Sequence, residues 1–234
     1  MKKIIFSLAL LFTTAVVALA QTADEILAKS IEARGGADKL KALKSLRTES
    51  TTSVAGMDLS SKSVIVNKRG MRNDIEVMGQ TITMAVDGDK GWMINPMQGG
   101  TDPVALPEEQ MKASAAQLDL SGLANFKEAG TTAELLGKET LDGTEVYKVK
   151  TTGKDGMVIT HFIDSKTFYV LKMAIKIGQG DIETRMSNYK VVDGIAFPHT
   201  TEISNPEVGA ITTTIKKMEV NPTIDESIFA MPKK

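Results

Sequence analysis

The sequence has no cysteine, few aromatic residues and no excess of one charge. Without cysteine there is no disulfide to stabilise the fold and no cysteine to carry a lipid anchor. Aromatic residues make up 5% of the chain, which is poor material for the stacking platform of a single-strand-binding protein. The 28 basic and 29 acidic residues give a net charge of −1, so nucleic acid and anionic membranes are not attracted at long range.

Recognisable catalytic motifs are also missing. The chain has two histidines, His161 and His199, which lie in predicted strands and outside any H-E-x-x-H motif. It has no G-x-S-x-G elbow, phosphate loop or dinucleotide fingerprint. Two ordinary strand histidines explain the pattern more simply than a two-His-one-carboxylate metal site or a hydrolase that uses either residue. We therefore expect a protein that is not an enzyme and that has no cofactor, no metal site and no nucleic-acid partner.

The N-terminal segment, residues 1–20, has the organisation of a cleaved signal peptide. Two lysines precede an apolar stretch at residues 4–19, and the Ala-Leu-Ala at residues 18–20 has the small-x-small pattern of a signal-peptidase site. A membrane anchor is the alternative, but the stretch is short of the about 20 apolar residues that a spanning helix needs. We expect an exported protein whose mature domain is residues 21–234.

The mature chain begins with helical signals and continues with strand patterns. Thr22 and Glu25 form a T-x-x-E capping box before an amphipathic helix over residues 24–34, and Gly35-Gly36 ends that helix. From Leu46 onward, strand-like segments alternate with Asp-Gly, Asn-Pro and glycine turns. Another helix is predicted after Pro107, where proline and two acidic residues occupy the first turn.

About ten or eleven strands are expected, and their hairpin-length connections make sequential strands antiparallel neighbours. The clearest alternation predicts that five residues share one face of a half-buried strand: Tyr169, Leu171, Met173, Ile175 and Ile177. So many strands must curl. We predict a mainly β fold with a few α-helices, in which a curved antiparallel sheet or incomplete β-barrel has helices covering its concave face.

Methionine is frequent, with 13 residues. This flexible side chain can line a pocket whose ligands vary in shape, although simple filling of a barrel core is the alternative. A curled sheet of about ten strands encloses more space than its own side chains fill, so helices or a ligand must occupy the remainder. The candidate cavity-lining residues are Met84, Trp92, Met93, Met97, Met111, Leu171, Met173 and Ile175.

Several short motifs occur in a fixed order along the mature chain. They are the helical segment at residues 26–45, DKGW at 89–92, LGKE at 136–139, DGTEVY at 142–147, IDSKT at 163–167, YKVVDGIAFP at 189–198 and VNPTIDESIF at 220–229. In this order they resemble the periplasmic outer-membrane lipoprotein-sorting family, the LolA/LolB-like lipoprotein carriers. The resemblance covers essentially all of residues 21–234.

The resemblance implies a periplasmic chaperone of outer-membrane biogenesis that is not lipid-anchored. Its apolar cavity would take lipid or the acyl chains of lipoproteins, with membrane-associated donor and acceptor proteins at either end of the transfer. The counterpart of the family's cavity arginine is not identified, and Arg47, Arg69, Arg72 and Arg185 are equal candidates. A non-catalytic periplasmic sensor or accessory protein-interaction module on the same fold is the alternative.

Overall fold

The computed structural model describes residues 21–115, 118–177, 180–205 and 209–232, so the predicted signal peptide lies outside the described residues. Three α-helices are present in these ranges: α1 (Ala23–Ala33), α2 (Ala37–Lys41) and α3 (Glu108–Ala115). Within the same ranges, no helix combines the length and the apolar character that crossing a membrane requires.

A single antiparallel sheet contains all thirteen strands of the described residues. The strands are β1 (Ser45–Val54), β2 (Met57–Val66), β3 (Gly70–Val77), β4 (Gln80–Asp87), β5 (Lys90–Ile94), β6 (Val104–Ala105), β7 (Thr132–Leu141), β8 (Thr144–Thr152), β9 (Val158–Asp164), β10 (Val170–Ile177), β11 (Gly180–Val192), β12 (Ile195–Asn205) and β13 (Gly209–Val220). Their spatial order is β6-β5-β4-β3-β2-β1-β13-β12-β11-β10-β9-β8-β7.

The sheet is open, with β6 and β7 at its edges. The predicted architecture, a mainly β curved sheet or incomplete barrel with a few helices, is therefore confirmed. The expected number of strands was too low. Strand β6 contributes to this difference because its two residues, paired with β5, are too few to produce a period-two pattern.

Helix α1 begins and ends as the sequence predicts. The Thr22 hydroxyl accepts a hydrogen bond from the backbone N–H of Glu25 at 3.2 Å, and the Glu25 carboxylate accepts one from the Thr22 N–H at 3.0 Å. After the helix, Gly35 has a φ of +118°, and a Cβ there would lie 2.3 Å from the carbonyl oxygen of Gly194. Only glycine permits this approach, which fixes the end of α1 against the β11–β12 hairpin.

One face of the sheet, which we name the helix-bearing face, packs against α1 and α3. Ile26, Leu27 and Ile31 of α1 join a large buried cluster with sheet residues such as Val149 and Ile163. A second buried cluster lies beside α3 and consists of Met71, Val86, Leu106 and Leu118, with Met84, Met93, Met111 and Ile65 packed against it.

The opposite face of the sheet is covered over β3–β5 by the end of the chain. A 3₁₀ helix, Glu226–Phe229, places Phe229 in complete burial, and the Phe229 carbonyl accepts a hydrogen bond from Trp92 Nε1 at 2.7 Å. A Cβ at Gly70 would lie 3.0 Å from the Phe229 ring, so the absence of a side chain admits this ring. A small separate cluster on this face contains Val146, Phe162 and Ala174.

Candidate functional site

Charge is segregated between the two faces of the sheet in eight of its strands. In the described parts of β1–β4, β9, β10, β12 and β13, every residue whose pairing places it on the helix-bearing face is uncharged. Charged residues of the same strands lie on the opposite face; they include Arg47, Glu49, Lys62, Arg72, Asp74, Glu76, Lys172 and Glu202. Over these strands the helix-bearing face therefore offers a ligand an uncharged surface, whereas β7, β8 and β11 place Lys138, Glu145 and Lys190 on the same face.

Part of this uncharged surface is not buried by the helices. It consists of nine aliphatic residues that we name the isoleucine floor: Leu59, Ile75, Ile82, Ile159, Ile175, Ile182, Ile203, Ile211 and Ile215. Seven of them are half-buried, whereas Ile182 and Ile203 are 41% and 37% exposed. Direct cross-strand pairs join Ile75 to Ile82 and Ile159 to Ile175, so their side chains form continuous apolar surface.

The hydroxyl groups between these aliphatic residues are paired with one another. Ser50 Oγ and Ser61 Oγ are 2.7 Å apart, and Thr52 Oγ1 and Thr213 Oγ1 are 3.0 Å apart. All four residues lie on the helix-bearing face. Because these hydroxyls satisfy each other across neighbouring strands, the floor between the aliphatic residues is less polar than its serine and threonine content suggests.

One row of paired residues connects the floor with the buried core. Successive cross-strand partners run from Ile211 in β13 through neighbouring strands to Val149 in β8; the row is Ile211, Ile203, Thr184, Met173, His161 and Val149. Ile203 is 37% exposed and His161 is 3% exposed. At about 4.8 Å between strands, Ile211 and His161 are separated by about 20 Å along the row.

His161 is an uncharged polar group at the buried end of this row. Its Nε2 lies 3.0 Å from Thr151 Oγ1, and the Thr151 hydroxyl lies 3.3 Å from the carbonyl oxygen of Ile159. Burial lowers the pKa of the His161 imidazole to about 4, because charging it would require desolvation of an imidazolium. The imidazole is therefore neutral near pH 7 and adds no charge to the helix-bearing face.

The structure brings five of the eight predicted lining residues to the helix-bearing face. Met84 and Met93 are cross-strand partners and pack with Met111 of α3 in the second buried cluster. Met173 packs against the large cluster around α1, and Ile175 belongs to the isoleucine floor. The two groups lie on different parts of the sheet, since six strands lie between β4 and β10 in the spatial order.

The other three predicted residues lie elsewhere. Trp92 pairs with Ala85 and points to the opposite face, where it is 2% exposed beneath Phe229. Met97 lies in a 3₁₀ turn after β5 and is 47% exposed. Leu171 packs against the small cluster of the opposite face.

The predicted alternation of β10 is wrong at Leu171. The pairing register with β9 shifts between Val170 and Lys172. Such a bulge adds one residue and reverses the facing of the residues on one side of it. Val170 and Met173 therefore both pack in the cluster of the helix-bearing face, whereas Leu171 lies with the opposite cluster.

All four arginines proposed from the sequence form ion pairs. Arg47 pairs with Glu219 at 2.9 Å, Arg72 pairs with Asp74 at 2.9 Å, and the other two pairs are Arg69 with Asp87 and Arg185 with Asp142. Arg72 also lies over the Trp92 ring, with 5.9 Å between its guanidinium carbon and the ring centre. These contacts engage the arginines outside the isoleucine floor.

Arg34, which sequence reasoning did not single out, is the arginine at the end of α1. Its Nε donates to the carbonyl oxygen of Ala196 at 3.4 Å, and no carboxylate of the described residues pairs with it. Burial lowers the pKa of the Arg34 guanidinium, and Tyr189 acts in the opposite direction. Its spacing from Leu27 and Ile31, seven and three residues earlier on α1, was the available signal, because those residues share the buried face of the helix.

A polar groove of about 680 Å³ lies on the opposite face across β1–β4 and is lined mainly by charged and hydroxyl side chains, among them Glu49, Lys62, Asp74, Glu76 and Lys216. Within the described ranges, no group of three or more histidine, cysteine, aspartate or glutamate residues is arranged to hold a metal ion. The second histidine, His199, is buried and its Nδ1 donates to the Phe197 carbonyl at 3.1 Å.

Comparisons with known proteins extend over most of the chain. A family model with the description "-like: Uncharacterized protein" matches residues 75–233. No curated protein matches the sequence.

Solved structures share the fold at low sequence identity. A LolA superfamily protein from Nitrosomonas europaea matches with a TM-score of 0.59 and 17% identity, over 90% of this chain and 98% of its own. A DUF1329 family protein from Desulfovibrio piger matches with a TM-score of 0.59 and 13% identity, over 89% and 97% of the two chains. A putative outer membrane lipoprotein-sorting protein domain from Vibrio parahaemolyticus has a TM-score of 0.55 and 13% identity, over 88% and 94%. The resemblance inferred from the sequence is thus confirmed at the level of the fold.

Proposed function

We propose that the chain, which belongs to the family whose model covers residues 75–233, is a non-catalytic periplasmic carrier. It would bind lipid or the acyl chains of lipoproteins on the helix-bearing face of its sheet and transfer them towards the outer membrane. The fold shared with a LolA superfamily protein and with a putative lipoprotein-sorting domain supports this proposal. The signal-peptide pattern of residues 1–20 supports export.

The segregation of charge on the sheet is the observation that carries the proposal. An exposed aliphatic surface is costly in water unless something covers it, and the isoleucine floor continues the buried core without a charged interruption. Ile182 and Ile203 remain substantially exposed although neighbouring Ile163 and Phe197 of the same face are buried. An acyl chain has the chemistry and the shape to cover such a strip.

Burial of an acyl chain on the floor would supply enough free energy for reversible binding. Each buried methylene contributes about 0.8 kcal/mol, so about ten methylenes contribute about 8 kcal/mol before the costs of association and ordering are subtracted. Subtraction of these costs leaves moderate affinity, which suits a protein that must also release its cargo. No covalent step is needed for either event.

In this proposal, helices α1 and α3 act as movable covers over the helix-bearing face. Helix α3 lies over Met84 and Met93 through Met111, and α1 lies over the cluster that includes Met173. Together with Ile175 of the floor, these four methionines are the predicted lining residues that the proposal retains. Displacement of either helix would expose aliphatic surface continuous with the floor, and a donor or acceptor protein that displaces it would change the affinity for cargo.

Native mass spectrometry of the exported protein, followed by solvent extraction and lipid analysis, tests the proposal. We expect an additional mass that extraction identifies as a lipid or an acylated peptide. The variant Ile203→Glu should lose most of this mass, since a carboxylate on the floor must be desolvated when the chain binds. The matched control Thr214→Glu places the same charge on the opposite face, next to Thr51 and Thr200, and should retain the ligand.

A bare protein mass, repeated after incubation with lipid vesicles, would overturn the carrier proposal. That result would favour the sensor or protein-interaction module. Equal loss of ligand in folded Ile203→Glu and folded Thr214→Glu would also contradict the floor as the binding surface, because the loss would not depend on which face carries the charge.

A further inference from the structure

Within the described residues, two buried side-chain polar atoms have no hydrogen-bond partner: Ser30 Oγ and His161 Nδ1. Buried polar groups are nearly always satisfied, and an unsatisfied one costs about 1–3 kcal/mol. His161 lies on the helix-bearing face, in the row that leads to Ile203 and Ile211. Ser30 lies on the buried face of α1.

The hydrogen bonds of Thr151 determine which imidazole nitrogen of His161 carries the proton. The Thr151 hydroxyl has a single proton, and the carbonyl oxygen of Ile159, 3.3 Å away, can only accept it. The Thr151 oxygen then accepts from His161 Nε2–H at 3.0 Å. His161 Nδ1 is consequently left with its lone pair and requires a donor.

We propose that the cargo is an acyl compound with a neutral hydrogen-bond donor at its polar end, which donates to His161 Nδ1 while the chain lies on the isoleucine floor. This inference rests on the proposed carrier function and adds the chemical class of the cargo. A hydroxyl or an amide N–H next to the acyl chain satisfies it, as in an acylglycerol or an N-acylated group. A carboxylate does not, because it has no proton to donate and would be buried on an uncharged surface.

The dimensions of the row agree with this placement. His161 and Ile159 lie two residues apart on one strand, so the acceptor is about 7 Å from the first isoleucine of the floor. From His161 the row reaches the exposed Ile203 and the half-buried Ile211 over about 20 Å. Because His161 is 3% exposed, a ligand reaches Nδ1 only when the side chains that cover it move aside. A long acyl chain then has its polar end at His161 and its apolar end on exposed floor. The neutral imidazole, whose pKa burial lowers to about 4, keeps its Nδ1 lone pair free near neutral pH.

Isothermal titration calorimetry of the delipidated protein with lauryl alcohol and with lauryl methyl ether tests the inference. The two probes share one chain and one oxygen, and only the alcohol can donate. The unmodified protein should bind the alcohol about tenfold more tightly, the value of one hydrogen bond in a buried site. In His161→Gln the ratio should fall to about one, because the glutamine amide reaches the Nε2 position and leaves the Nδ1 position without an acceptor.

His161→Asn is the matched variant, since its amide oxygen occupies a position close to that of Nδ1 and should preserve part of the preference. Equal affinity for both probes in the unmodified protein, or an unchanged preference in His161→Gln, would overturn the inference and leave the carrier function standing. Loss of the preference in Ser30→Ala alone would identify Ser30 Oγ as the acceptor of the probe's hydroxyl and would also overturn the inference. Failure of both probes to bind would contradict the carrier function itself.

Discussion

The two faces of the sheet are built from the same strands but are covered in different ways. On the opposite face, the end of the chain seals Trp92 under Phe229, and exposed charges form ion pairs over the remaining strands. On the helix-bearing face, the helices bury part of the surface and leave Ile182 and Ile203 exposed. Trp92 and Phe229 of the opposite face are covered within the chain, whereas Ile182 and Ile203 of the helix-bearing face are not. This difference is the reason why the proposed binding surface is placed on the helix-bearing face.

The largest expected effect concerns the opposite face, which we name the sealed face because Phe229 covers Trp92 there. Phe229→Ala removes a fully buried ring and should lower the free energy of unfolding by about 3–5 kcal/mol, because the cavity beneath Gly70 and Trp92 cannot collapse fully. The backbone carbonyl that accepts from Trp92 is retained. Urea denaturation measures the loss, and Ile228→Ala, at a half-buried neighbour, should cost clearly less. Affinity for an acyl ligand should stay unchanged in Phe229→Ala; a large loss of affinity would show that the two faces are not independent.

The next effect concerns the neutral histidine of the helix-bearing face. The pKa of His161 is lowered to about 4 in the folded protein from 6.5, so the unfolded chain binds a proton that the folded protein does not accept. Stability from the neutral form is complete above about pH 6.5, falls as the pH decreases, and levels off below about pH 4. Between about pH 7.5 and about pH 5 the loss should be about 2 kcal/mol.

Urea denaturation at these two pH values, with His161→Gln as the reference, measures that loss. Glutamine has no proton to gain, so the difference between the two proteins should shrink by about 2 kcal/mol on acidification. A difference that does not depend on pH would mean that His161 gains a proton in the folded protein as easily as in water.

Local signals along the chain predicted much of the fold. The capping box of Thr22 and Glu25 has its expected hydrogen bonds, and Asp142 and Asp193 adopt the positive φ values that Asp-Gly hairpin turns require. These features depend on residues within a few positions of each other. The sequence analysis expected fewer than thirteen strands because turn residues such as Asp-Gly are easier to recognise than a two-residue edge strand such as Val104–Ala105.

The candidate site was harder to predict because it depends on which set of alternating residues faces the helices. Period-two alternation separates Trp92 from Met93 but cannot show which of them faces α3. The register shift in β10 moves Leu171 to the opposite face, and the sequence carries no turn residue that marks it. The partners of His161 and Arg34 come from distant strands and helices, so their environment was not readable from neighbouring residues.

The smallest expected effect is the absence of a signal, and it tests the separation of the two faces directly. Trp92 is the only tryptophan, it is 2% exposed, and its Nε1 donates to Phe229 on the sealed face. A ligand on the helix-bearing face should therefore leave the tryptophan emission maximum unchanged.

The double variant Trp92→Phe/Met93→Trp moves the single indole one residue along β5 to the face beneath α3. Ligand binding should then shift its emission to shorter wavelength, because water is excluded from the indole. Fluorescence titration of both proteins with the same acyl ligand makes the comparison. A response from Trp92 in the unmodified protein would mean that cargo binding reaches the sealed face, and a silent indole at position 93 would restrict the cargo to the isoleucine floor away from α3.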